Sequence, residues 1–76
     1  MTNIILPELG EGITKATVAC WHKHLGETIV KGDDLLEVVT DKATFNVEAP
    51  ASGILSTIIV AEGKDGAVGA ILGVIG

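Results

Sequence analysis

Leu35-Leu36-Glu37-Val38-Val39-Thr40-Asp41-Lys42-Ala43-Thr44-Phe45-Asn46-Val47-Glu48 is two strand-like runs that meet at a two-residue connection. Such spacing is that of a β-hairpin. The runs are rich in β-branched side chains, which fit a pleated surface. Aspartate suits the first turn position, because its carboxylate can bond the backbone two residues on. Asp-Lys is not the Asn-Gly pair that primed turns favour, and a type I turn fits these residues. Lys42 then stands at the tip, in water, with its ammonium pointing away from the sheet. Nothing at an exposed tip desolvates it, so it is not tuned as a general base. Its distinctive chemistry is that of an unhindered amine open to amide formation, although solvated lysines at turn tips are common in their own right.

Outward from the hairpin, Gly26-Glu27-Thr28-Ile29-Val30-Lys31-Gly32 recurs in outline as Gly63-Lys64-Asp65-Gly66-Ala67-Val68-Gly69, 37 residues on (26 to 63, 32 to 69). Each copy follows a strand-like run and precedes an apolar one. One supersecondary unit is used twice. A solenoid needs at least three repeats, so two halves are expected to close on each other as a pseudo-symmetric sandwich or flattened barrel. The strands expected are Asn3 to Leu6, Ala16 to Lys23, Thr28 to Val30, Leu35 to Thr40, Ala43 to Glu48, Ile54 to Val60 and Ile71 to Ile75. Leu9 to Thr14 reads as a Gly-rich loop, and Ala49 to Ser52 as a loop around Pro50, which cannot donate to a ladder. No window carries a capped apolar stripe of helical period. Gly66 occupies the place that Ile29 holds in the first copy, so a looser turn or a weaker core is expected there.

The chain has 76 residues, 47% hydrophobic but only 3% aromatic, with ten glycines. One small domain, residues 1–76, is the expectation, with a thin core and no room for a deep substrate pocket. That argues against an independent enzyme. Ten acids face five basic residues, all of them lysines, for a net charge of −5. Without guanidinium groups and with this charge, nucleic acid is a poor partner, and anionic membranes are too. The charge suits a partner with a basic docking face. The longest apolar runs fall well short of the roughly 20 residues of a membrane span. Cys20 is the only cysteine, which rules out an intrachain disulfide and is compatible with a reducing compartment.

Cys20, His22 and His24 alternate at strand spacing and invite the question of a zinc site. A straight strand does not make them converge into a tetrahedron, so no metal is expected. The plainer reading gives this strand one polar or rim-like face and a second face holding Ala19 and Trp21. Gly10-Glu11-Gly12 lacks the third glycine and following helix of a phosphate loop. Trp21 and Phe45 are expected to pack, one of them partly exposed.

Gly26, Ile29, Leu35, Val38, Lys42-Ala43-Thr44, Val47, Gly53 and Leu55 fall at spacings that resemble the attachment pattern of lipoyl domains. Asp41-Lys42-Ala43 resembles the attachment triplet. Leu6-Pro7-Glu8-Leu9-Gly10-Glu11-Gly12-Ile13 resembles the opening of the lipoyl domain in the acyltransferase component of 2-oxo acid dehydrogenase complexes. The resemblance runs from Ile4 to Ile75.

This resemblance implies an all-β, flattened barrel-sandwich hybrid: two four-stranded antiparallel sheets related by a pseudo-twofold axis, with the attachment turn at one end and both termini at the other. It implies that Lys42 carries lipoic acid in amide linkage, formed by a lipoate ligase or lipoyl transferase that reads the flanking Asp41 and Ala43. The arm would accept an acyl group from a thiamin-diphosphate decarboxylating component and deliver it to coenzyme A at the acyltransferase core. Dihydrolipoyl dehydrogenase would then reoxidise it. The domain itself would be a non-catalytic, monomeric carrier, in the cytoplasm or, in a eukaryote, the mitochondrial matrix. The loop beside the attachment turn would contribute to recognition by the decarboxylating component, with Glu8, Glu11 and Thr14 as candidates. Rival readings are a biotin carrier and an unmodified barrel-sandwich interaction module. Biotin modules usually flank the lysine with methionines, whereas Asp41 and Ala43 stand here. The sequence of Ala16 to Lys23 looks like 2-oxoglutarate complexes, while Pro7 to Gly12 looks like several complexes.

Overall fold

The computed structural model describes residues 1–76 and contains eight strands: β1 (Thr2–Ile5), β2 (Lys15–Trp21), β3 (Thr28–Ile29), β4 (Asp34–Val39), β5 (Thr44–Glu48), β6 (Gly53–Ile58), β7 (Asp65–Ala67) and β8 (Ile71–Ile75). One sheet has the order β1-β8-β6-β3 and the other β5-β4-β2-β7, with every pairing antiparallel. Exchanging β1 with β5, β8 with β4, β6 with β2 and β3 with β7 turns one sheet order into the other. The expected two-sheet, two-half architecture is therefore present. No helix is long and apolar enough to cross a membrane.

The repeat extends to individual hydrogen bonds. Gly26 N–H donates to Leu55 O and Gly63 N–H to Val18 O, both at 2.8 Å. Asp33 N–H donates to Val30 O and Ala70 N–H to Ala67 O, both at 2.9 Å. His22 N–H donates to Leu35 O at 2.8 Å and Ile59 N–H to Leu72 O at 2.9 Å. Each bond maps onto its counterpart when 37 residues are added or subtracted. The turn glycines correspond as well: φ is 86° at Gly26 and 84° at Gly63, a left-handed conformation in which a side chain would be strained. Identical turn chemistry explains why the two halves close alike.

The molecule measures 32 × 20 × 16 Å, thin enough for two sheets and one layer of side chains between them. That layer holds Ile4, Leu6, Ala16, Val18, Trp21, Ile29, Leu35, Leu36, Val38, Val47, Ala49, Leu55, Leu72 and Ile75. Trp21 is buried and donates its indole N–H to Val60 O at 2.9 Å, so its one polar group is satisfied. Phe45 packs on the core while partly exposed.

Two expectations need correction. The turn read at Gly66 is part of a strand, β7, which pairs Gly66 with Ala16. Gly66 is buried, and a β-carbon there would lie 3.2 Å from Leu72 Cδ2. Leu72 thus takes the space that a side chain at 66 would need, and the core is closed there without the isoleucine. The second correction concerns β2. Its inner face is Ala16, Val18 and Trp21, whereas Ala19 is exposed. The register shifts between Val18 and Cys20, and this bulge lets Val18 and Trp21 both face inward.

The turn from β2 to β3 is held by side chains. Glu27 accepts from His24 N–H at 3.0 Å and meets Lys23 Nζ at 3.5 Å. The bond from His24 N–H, against an opposing desolvation and with help from the His24 ring and Lys23, holds the Glu27 carboxyl below the usual carboxylate range.

Candidate functional site

β4 and β5 pair from Asp34↔Glu48 to Val39↔Thr44, and Thr40 to Ala43 turn the chain between them. They are the only consecutive strands in the fold that pair with each other, so this turn is its single β-hairpin. Asp41, Lys42 and Ala43 are all exposed. No residue other than glycine has positive φ, so the turn is not of the primed type.

The side chain that shapes the turn is Thr40. Its backbone N–H donates to Ala43 O at 2.8 Å, and its hydroxyl donates to the same oxygen at 2.9 Å. The hydroxyl oxygen in turn accepts from Lys42 N–H at 3.2 Å and Ala43 N–H at 3.1 Å. Sequence reasoning gave this role to Asp41, whose carboxylate makes no such bond. Threonine one residue earlier does the same work, because its hydroxyl can both donate and accept. The signal that could have found it is a threonine immediately before a two-residue connection. Thr40→Val keeps the shape and the backbone bond but removes the three hydroxyl bonds, at an expected cost of about 1 kcal/mol for exposed hydrogen bonds. Urea unfolding measures this; a midpoint equal to that of the parent would show that the hydroxyl does not hold the turn.

Lys42 makes no ion pair; the three short contacts between opposite charges join Lys23 to Glu27 and Asp33, and His24 to Glu27. The Lys42 ammonium lies across the β1–β2 loop, where a β-carbon on Gly12 would be 3.5 Å from Nζ. A groove of about 280 Å³ separates this turn from the loop and the start of β2, with Thr14, Thr40, Asp41 and Lys42 among its lining residues. The structure therefore brings Thr14 to the Lys42 site. Glu8 and Glu11 are exposed on the same loop but do not line the groove. Thr2 lies opposite Ile75, at the end of β1 remote from this loop, so both termini are at the far end of the molecule from Lys42.

An exposed, unpaired primary amine at a rigid crest fits a covalent amide. Acylation removes the charge of Lys42 without orphaning any carboxylate. No enclosed cavity has to be opened to reach it. The other polar residues singled out from sequence do not assemble a centre. Cys20 Sγ stands 3.9 Å from His22 Nδ1, the His24 ring turns to Glu27 at 3.4 Å, and no group of three potential metal ligands converges.

The family model described as biotin-requiring enzyme, which covers biotin and lipoyl attachment, matches residues 2–75. The dihydrolipoyllysine-residue succinyltransferase component of the 2-oxoglutarate dehydrogenase complex from Bartonella vinsonii subsp. berkhoffii is 45% identical over 74 residues, 97% of this chain and 18% of that protein. Its counterpart from Escherichia coli K12 is 43% identical over 61 residues, 80% of this chain and 15% of that protein. The chain thus spans less than a fifth of the length of these relatives. Among solved structures, the lipoyl domain of the 2-oxoglutarate dehydrogenase complex from Azotobacter vinelandii superimposes with a TM-score of 0.78 at 33% identity, covering 100% of this chain and 96% of that one. The lipoyl domain of the E. coli dihydrolipoyl succinyltransferase gives a TM-score of 0.76 at 41% identity, covering 93% and 89%. With fold, repeat and hairpin in agreement with these comparisons, the chain belongs to the biotin and lipoyl carrier family and is a lipoyl domain, a carrier without catalytic activity of its own.

Proposed function

We propose that Lys42 is the attachment residue, carrying lipoic acid in amide linkage to Nζ, with Asp41 and Ala43 presenting it to a lipoate ligase or lipoyl transferase. Residues 1–76 then form one swinging-arm domain, monomeric in isolation, of a dihydrolipoamide succinyltransferase in a 2-oxoglutarate dehydrogenase complex. The observation that carries this reading is the unpaired, exposed ammonium of Lys42 on the one hairpin of the fold. Support for succinyl as the acyl group comes from relatives at 45% and 43% identity that are succinyltransferase components.

Lipoate supplies a dithiolane that takes up electrons and an acyl group and surrenders the acyl group to coenzyme A. The protein supplies position and recognition. Thr40 holds the crest, the two sheets keep it rigid, and the exposed lysine leaves the arm free to enter other active sites. Tethering raises the effective concentration of the arm at each of them. Glu8, Glu11 and Thr14 are proposed to meet the decarboxylating component, whose docking face would be basic. The acyltransferase core and dihydrolipoyl dehydrogenase complete the cycle, in the cytoplasm or in a mitochondrial matrix.

Incubating the domain separately with lipoate ligase and biotin ligase, each with its own acid and ATP, tests the reading by mass spectrometry. A gain of one lipoyl group and no biotin is expected. A biotin gain overturns it in favour of the biotin carrier, and no gain from either favours an unmodified interaction module.

A further inference from the structure

The groove beside Lys42 has a chemical character of its own. Ile13, Ala16 and Val39 supply apolar lining, and Thr14, Thr17 and Thr40 supply hydroxyls. The Thr17 hydroxyl is committed to Asp65. The charged residues lining the groove are Lys15, Lys42 and Asp41. Of the five lysines only Lys23 is ion-paired, so Lys15 offers an uncompensated ammonium in a protein of net charge −5. Amidation of Lys42 leaves Lys15 as the one cation on the groove.

We propose that Lys15 is a specificity-determining residue that receives the free carboxylate of a dicarboxylic acyl group carried on Lys42, so that the loaded arm folds back into the groove. This rests on Lys42 being the lipoylated residue. The arm starts on the wall of the groove itself, and the Lys42 side chain already lies over Gly12. A short monocarboxylic acyl group has the same apolar chain to offer but nothing for Lys15 to bind. A single exposed ion pair is weak, which suits a carrier that must release its cargo at the next active site. Tethering makes so weak a contact count, because binding is intramolecular.

The test uses the lipoylated domain in a Cys20→Ser background, where the arm sulfurs are the only thiols once reduced. After reduction, each arm thiolate displaces bromide from 3-bromopropionate or 3-bromopropionamide, giving arms of nearly equal size that differ in charge. Amide ¹H–¹⁵N spectra are compared at Thr14, Lys15 and Thr17. The carboxylate arm is expected to shift these resonances relative to the amide arm. The difference should fall about two- to threefold in Lys15→Gln, the scale of one exposed ion pair, and should survive in Lys15→Arg. It should also shrink at about 0.5 M salt, where screening acts within a few ångströms. Equal shifts for the two arms, or a difference that Lys15→Gln leaves intact, overturn the role of Lys15 while leaving lipoylation at Lys42 standing. Absence of the lipoyl mass before alkylation overturns both.

Discussion

Lys42→Gln is expected to abolish the lipoyl mass gain completely while leaving the thermal midpoint within about 3 °C of the parent, the range for a surface substitution of half a kcal/mol in a domain this small. Exposure alone does not single out Lys42. Lys31 and Lys64 are exposed as well and have no ion pair. Lys31 lies in the turn at Gly32 and Lys64 follows the turn at Gly63, and each of these turns has a counterpart 37 residues away, at Gly69 and Gly26, so a ligase that read a solvated lysine would find several. The β4–β5 turn has no such duplicate. Its counterpart in the other sheet is the pair β8 and β1, which are not consecutive in the chain, and no other consecutive strands pair. Thr40 fixes its backbone through three hydroxyl hydrogen bonds. A lipoyl gain that persists in Lys42→Gln, mapped by peptide mass analysis to another lysine, would show that geometry does not select the amine. Unfolding of the variant would contradict the exposed side chain without an ion pair described above.

Gly73→Ala carries the largest expected loss of stability, about 3 kcal/mol, at the upper end for overpacking. A β-carbon on Gly73 would sit 2.6 Å from Thr57 O and 3.1 Å from the Trp21 ring. The first contact is backbone within a sheet, where β8 is paired on both sides by β1 and β6, and cannot step aside. A domain of this length has a stability of about 4–11 kcal/mol in all, so the loss is a large share of it. Gly63→Ala is the comparison. Nothing lies within 4 Å of a β-carbon there, and only the left-handed backbone, φ 84°, resists the methyl group. Its cost is expected near 1 kcal/mol, the conformational penalty alone. Chemical denaturation of the two variants side by side decides the matter. Equal losses would mean that the close approach at Gly73 is relieved by movement of the sheet.

Hairpin, repeat and strand content were legible from residues near one another in the chain. Alternation around Asp41-Lys42 marks two strands and a turn because side chains on a strand switch faces at every residue. The 37-residue echo of the Gly26 turn at Gly63 marks two halves because a left-handed turn demands glycine wherever it recurs. β7 was not legible. Asp65-Gly66-Ala67 has no β-branched residue and reads as a turn, yet it becomes a strand by pairing with Lys15 to Thr17, about fifty residues earlier. The bulge at Val18 likewise comes from matching β2 to β4, and it moved Ala19 from the core to the surface.

The amino-acid sequence alone determined that Lys42 stands at the tip of a β-turn in a two-half all-β domain, since local periodicity and turn chemistry act over a few residues. Tertiary structure decided what surrounds that tip. The groove with Thr14 and Lys15, the filling of the Gly66 gap by Leu72 and the remoteness of both termini arise from contacts between segments far apart in the chain. Such contacts form only when the two sheets close over a shared core, and no short window of residues encodes that closure.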